Sequence, residues 1–151
     1  NLFNSDDIKI EQKINFKKEQ WIKLIESSSI GSIQAFTGKP CSIFQDDKYI
    51  NDFKSLIAEG IAVAISNSVN IDNKFADQVL TKLLQYPASK GSSMLTDKLN
   101  GNKLELEAKI GAIIKIAKSN NIRVPVSERY YRSLLNYNRL TIAYHSKNDL
   151  Y

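Results

Sequence analysis

The chain has 151 residues, 42% of them hydrophobic, and a formal net charge of +5 that comes mostly from lysine. That size suits one domain with its own core, and the longest apolar runs, such as 60–65, are far too short to span a bilayer. One cysteine, Cys41, excludes an internal disulfide, and one histidine, His145, leaves no clustered ligands for a structural zinc site.

In chain order, 1–17 mixes short apolar alternation (Ile8, Ile10, Ile14) with charge and reads as a connector or short extended segment. It has neither the basic nor the apolar stretch of a secretory signal. It also lacks an initiator methionine, so a domain cut from a longer chain is the simplest expectation. Helical periodicity then dominates. A first helix is expected over 18–29, with Trp21, Leu24, Ile25 and Ser28 on one side. Ser27, Ser28, Ser29 and Gly31 predict a kink or break, because serine and glycine are poor helix formers. Gly38-Lys39-Pro40 marks a loop over 37–45.

A long amphipathic helix over 46–68 carries Ile50, Phe53, Ile57, Ile61, Ala64 and Ile65 at three- and four-residue spacing. Asp46 and Asp47 stand where a cap and the helix dipole favour acids. Another helix, 72–85, buries Phe75, Val79, Leu80 and Leu83, and a loop over 87–103 follows. The next helix spans 104–120, with Leu106, Ile110, Ile113, Ile114 and Ala117 inward and Asn120-Asn121 ending it. A segment at 121–126 is extended around Pro125, and a last helix runs from Ser127 to about Tyr144 before a frayed tail. The fold class is all-α, a helical bundle over 18–151.

No Lys/Arg run exceeds two residues and no aromatics interleave with basic clusters, so the charge reads as a solvated surface and nucleic acid is not an expected partner. The glycines at 31, 38, 60, 91, 101 and 111 never approach G-x-G-x-x-G, so this chain offers no dinucleotide cradle. A Ser-His-Asp triad would need His145, which lies in the tail. From the residues alone the reading stops at a soluble, cytoplasmic helical domain.

Specific residues carry it further. Trp21-Ile22-Lys23, then Ser93-Met94-Leu95-Thr96-Asp97, Gly101, Glu105, Gly111, Val124-Pro125, Tyr130-Tyr131 and Leu134-Leu135 resemble the C-terminal domain of the ketopantoate reductase (2-dehydropantoate 2-reductase) family. The resemblance runs from Trp21 to about Leu135. It implies a helical fold of the kind that ends 6-phosphogluconate dehydrogenase-like enzymes, sitting below a Rossmann domain, with NADPH-dependent reduction of ketopantoate to pantoate in the cleft between. It implies Lys23 as general acid, Glu105 as acceptor of a hydrogen bond from the substrate hydroxyl, and Ser93 and Ser27 as substrate-binding residues. NADPH would be bound mainly by the N-terminal Rossmann domain, the chain alone would be inactive, and no metal is called for.

Each role has a plainer competitor. Lys23 has Glu19 and Glu26 within an ion pair's reach along a helix. Glu105, like Glu107, would suit a helix dipole, and Ser93 and Asp97 would suit a cap and a turn. Met94 and Trp21 suit packing, and Gly111 a close approach between helices. The family's usual asparagines one and two turns after the catalytic lysine are replaced here by Ser27 and Gly31. That opens a second reading, a divergent paralogue acting on another 2-oxo acid. A third is a non-catalytic helical module for oligomerisation, a homodimer in the simplest case.

Overall fold

The computed structural model describes residues 5–148, and every regular element among them is a helix. Helix α1 (Ser5–Thr37) is followed by a 3-10 helix (Cys41–Gln45), α2 (Asp47–Ser66), α3 (Phe75–Gln85), α4 (Ser93–Leu99), α5 (Ile110–Ser119) and α6 (Pro125–Asn148). The all-α expectation holds. Several boundaries differ, each for a physical reason.

The segment read as a connector is helical from Ser5 and continuous with α1. Between Ser5 and Ile30 no glycine or proline interrupts it, acids occupy its first turn, and the Ile8/Ile10/Ile14 alternation has no sheet to join. The break expected near Ser27–Gly31 does not occur either. Ser28, Ser29, Gly31 and Ser32 are all buried there, and packing outweighs their low propensity. Helix α1 is the central element and packs against α2, α4, α5 and α6.

The α1–α2 contact depends on one glycine. A Cβ on Gly60 would lie 2.8 Å from Ile25 Cγ1, so any larger residue would push the helices apart. Helix α2 starts as read, with the Asp46 carboxylate accepting from Lys48 N at 2.9 Å. Its inward residues include Phe53, Ile57, Ile61 and Ala64, whereas Ile65, expected on that face, is exposed. Phe44 of the 3-10 helix meets Phe53 edge to face.

The expected loop over 87–103 contains α4, whose cap is Ser92: its Oγ accepts from Leu95 N at 3.2 Å. The helix expected from 104 begins only at Ile110. Leu104 and Leu106 are buried on either side of exposed Glu105, the alternation of an extended segment. Asn138 holds Leu104 in that geometry through Leu104 N to Oδ1 at 2.8 Å and Nδ2 to Leu104 O at 2.9 Å.

Asn121 ends α5 in left-handed geometry (φ 55°). Ile122 N bonds Ala117 O and Asn121 N bonds Lys118 O, the paired closure of a Schellman motif. Gly111 does mark a close approach, to Leu106 O (2.8 Å from a built Cβ) and to Tyr131 of α6 (3.2 Å). Helix α6 starts at Pro125, where a missing N–H costs nothing, and continues through Asn148, past the expected fraying point. His145 Nε2 lies 3.1 Å from Gly101 O.

Candidate active site

A cavity of about 580 Å³ opens beside α1. Lys23, Ser27, Ile30, Gly31 and Gln34 of α1 line it, at steps of four, three, one and three residues, which is one face of a helix. Trp21, Ile25, Ser28 and Ser32 are buried on other sides of the same helix. Opposite stand Lys82 and Tyr86 at the end of α3, then Lys90 to Met94, and Lys109 just before α5.

Three of the four site residues expected from the sequence therefore share one cavity: Lys23, Ser27 and Ser93. Seventy positions separate Lys23 from Ser93, and the contact of α1 with α4 brings them together. Gly31 takes part in that contact, since a Cβ there would sit 3.4 Å from Met94 Cβ. Glu105 is exposed, does not line the cavity, and forms no ion pair with Lys23. It lies in the extended segment before α5, so the helix-dipole role weighed for it does not apply. Glu107 has a partner of its own, the hydroxyl of Tyr131, which donates to its carboxylate.

The competing readings also resolve residue by residue. Lys23 is exposed and, among the described residues, has no ion-pair or hydrogen-bond partner. Glu26 pairs instead with Lys82, at 3.2 Å. The hydrogen bond and charge of that carboxylate raise the Lys82 pKa above the ordinary lysine value. Ser92 performs the capping that was weighed for Ser93, whose hydroxyl has no hydrogen-bond partner among the described residues. Ser27 is engaged: Lys109 Nζ donates to its Oγ at 3.1 Å.

Gln34 orders the wall opposite α1. Fully buried, it accepts from Ser92 N at 2.7 Å through Oε1, and its Nε2 donates to Lys90 O at 3.3 Å and contacts Cys41 Sγ at 3.6 Å. Cys41 N also donates to Lys90 O, at 2.9 Å. Burial raises the Cys41 thiol pKa, against the opposing hydrogen bond of Gln34 and charge of Lys90. Extending the periodicity of α1 by one turn beyond Gly31 would have found Gln34. Lys82, Lys90 and Lys109 carry no such signal, because nothing local separates them from the other lysines.

The match to known proteins covers the same segment. The family described as ketopantoate reductase PanE/ApbA C terminal matches residues 15–138. The chain belongs to this family. Among its relatives, the 2-dehydropantoate 2-reductase of Mycobacterium tuberculosis is 25% identical over 114 residues, which are 76% of this chain and 38% of that protein. That of Caulobacter vibrioides is 25% identical over 126 residues, 83% of this chain and 43% of that protein.

Solved structures agree on the fold. A dimeric ketopantoate reductase from Staphylococcus aureus superposes with a TM-score of 0.77 at 27% identity, over 80% of this chain and 43% of that one. The 2-dehydropantoate 2-reductase of Methylococcus capsulatus gives 0.74 at 18% identity, over 82% and 43%, a likeness of fold alone. The chain thus spans 38–43% of the relatives it matches. It is a domain of an oxidoreductase family. Among the described residues no helix is long and apolar enough to cross a membrane, and no cluster of metal-ligating side chains occurs.

Proposed function

We propose that this chain is the substrate-binding domain of an NADPH-dependent 2-oxo-acid reductase of the ketopantoate reductase kind, acting in the cytoplasm. The observation that carries this reading is the unpaired Lys23 on the wall of a cavity it shares with Ser27 and Ser93, in a chain of this family.

Among the described residues there is no strand and no glycine-rich turn to hold a dinucleotide's phosphates. NADPH therefore belongs with the part of the relatives that this chain does not span, and when bound there it supplies the hydride. The residues here do the rest. The Lys23 ammonium polarises the ketone oxygen and gives up a proton as charge builds on it. Ser93 donates to the substrate carboxylate, and Ser27 adds a hydroxyl one turn along α1. Glu105 accepts a hydrogen bond from the substrate hydroxyl; its support is the family resemblance and a carboxylate with no partner among the described residues.

The test uses the full-length enzyme with NADPH and ketopantoate. Lys23→Ala should lower kcat by roughly two to four powers of ten, while the isolated domain consumes no NADPH. A change confined to KM would remove the general-acid role. Glu105→Gln should lower kcat as well; unchanged kcat would leave Glu105 a surface residue.

The assembly we infer is a homodimer. Ile10, Ile14 and Phe16 of α1 and Leu140, Ile142 and Tyr144 of α6 are exposed apolar side chains in need of cover. A monomeric mass in light scattering would end that reading.

A further inference from the structure

The cavity holds more positive charge than a simple 2-oxo acid can use. Four lysines line it, Lys23, Lys82, Lys90 and Lys109, against one carboxylate, Glu26. Glu26 balances Lys82. That leaves three ammonium groups. The Lys90 ammonium lies over the Tyr86 ring, 3.3 Å from its centroid, which fixes its position without neutralising it. Lys109 spends one of its three donors on Ser27 and keeps two. In the reductase reading Lys23 serves the ketone oxygen, and one further lysine suffices for the 1-carboxylate. One ammonium remains without a counter-charge.

We propose that the substrate is a 2-oxo diacid, its second carboxylate received on the Lys109 side of the cavity, with Lys109 as a specificity-determining residue. The distribution of the lysines favours two separate carboxylates over one concentrated phosphate. They stand on different walls, α1, α3, the loop before α4 and the turn before α5, and no arginine is among them to grip a phosphate bidentately. The small residues on α1 support the same reading. Where the family resemblance places two asparagines, Ser27 and Gly31 leave room, and Lys109 fills part of it with a cation bound to Ser27. An amide at that place would offer a neutral contact; an ammonium asks for an anion.

The proposal rests on the reductase reading for the 2-oxo group, and its test does not depend on turnover. Isothermal titration calorimetry of this chain compares 2-oxoglutarate with 2-oxopentanoate, which has the same carbon chain and one carboxylate fewer. The diacid should bind at least about tenfold more tightly, the worth of one charge-assisted contact. Lys109→Gln should shrink that preference to within about threefold, and Lys103→Gln, an exposed lysine outside the cavity, should leave it intact. Equal affinities in the parent chain, no saturation by the diacid, or a preference untouched by Lys109→Gln would each overturn the proposal. A full-length enzyme that consumes no NADPH with ketopantoate or with either acid, while this chain still prefers the diacid, would remove the reductase reading and with it the diacid's role as substrate, leaving Lys109 as the selector of a bound diacid.

Discussion

Asn138 spends both ends of its side-chain amide on a single residue 34 positions away: Nδ2 donates to Leu104 O at 2.9 Å and Oδ1 accepts from Leu104 N at 2.8 Å. A side chain thereby supplies what a neighbouring strand would, in a fold whose described residues include no strand. The pairing keeps 104–106 extended, delays α5 to Ile110, and turns Glu105 outward between two buried leucines.

Asn138→Ala would leave a buried N–H and a buried C=O without partners. The expected loss is about 2–4 kcal/mol, read as a lower urea midpoint at unchanged slope. An unaltered midpoint would mean that 102–106 is held by leucine burial alone.

Glu59 closes the N-terminus of α6 from across the bundle. Its carboxylate accepts from Val126 N (2.9 Å), Ser127 N (2.8 Å) and Ser127 Oγ (2.7 Å). In Glu59→Gln the amide NH₂ would face one of these donors and the charge at the helix end would be lost. Thermal unfolding should report a cost of about 1–3 kcal/mol. Glu59→Asp, too short to span both amides, should be no better.

Ser28 and Ser32 each bury a hydroxyl that has no hydrogen-bond partner among the described residues. Removing an unsatisfied buried hydroxyl while raising helix propensity should stabilise α1. Ser32→Ala is expected to gain about 0.5–1 kcal/mol, and a fall in Tm instead would reveal a bound water as its partner.

Tyr130 donates to Asp52 Oδ2 at 2.6 Å and is buried. Burial first, then the Asp52 hydrogen bond and charge, raise its phenol far above the ordinary value of 10.0. On the other side of the contact, burial opposes ionisation of Asp52, but the Tyr130 and Arg129 hydrogen bonds and the Arg129 charge outweigh it and lower its pKa. An acid whose folded pKa is raised contributes stability that is complete below pH 10 and is lost as pH rises above it, because the unfolded chain releases the proton first. Tyr130→Phe should therefore be less stable than the parent at pH 8, with the gap narrowing between pH 10 and 11. A constant gap over that range would show that the phenol titrates normally.

Much of the bundle was legible because long amphipathic repeats are hard to misread. Asp46, the Phe53–Ala64 stripe and Asn121 all lie where helix periodicity and capping chemistry require. Failures cluster where a distant partner overrides local preference. The α1 serines stay helical because neighbouring helices bury them, and 104–109 resists helix because of Asn138, which follows it by 34 positions. Of the site, Lys23, Ser27 and Ser93 came from the resemblance, and the cavity they share could not be read from spacing. Lys109 escaped notice because a lysine's meaning here depends on what stands across from it.

The buried amide of Gln34 carries one more consequence. It joins α1 to the backbone of both Lys90 and Ser92, so the helix bearing Lys23 and the segment bearing Ser93 are stitched together from inside. Separating these walls would strip hydrogen bonds from a side chain that water does not reach. The two walls of the cavity are thus held at one spacing by a buried side chain, a jaw whose opening is set from inside the fold.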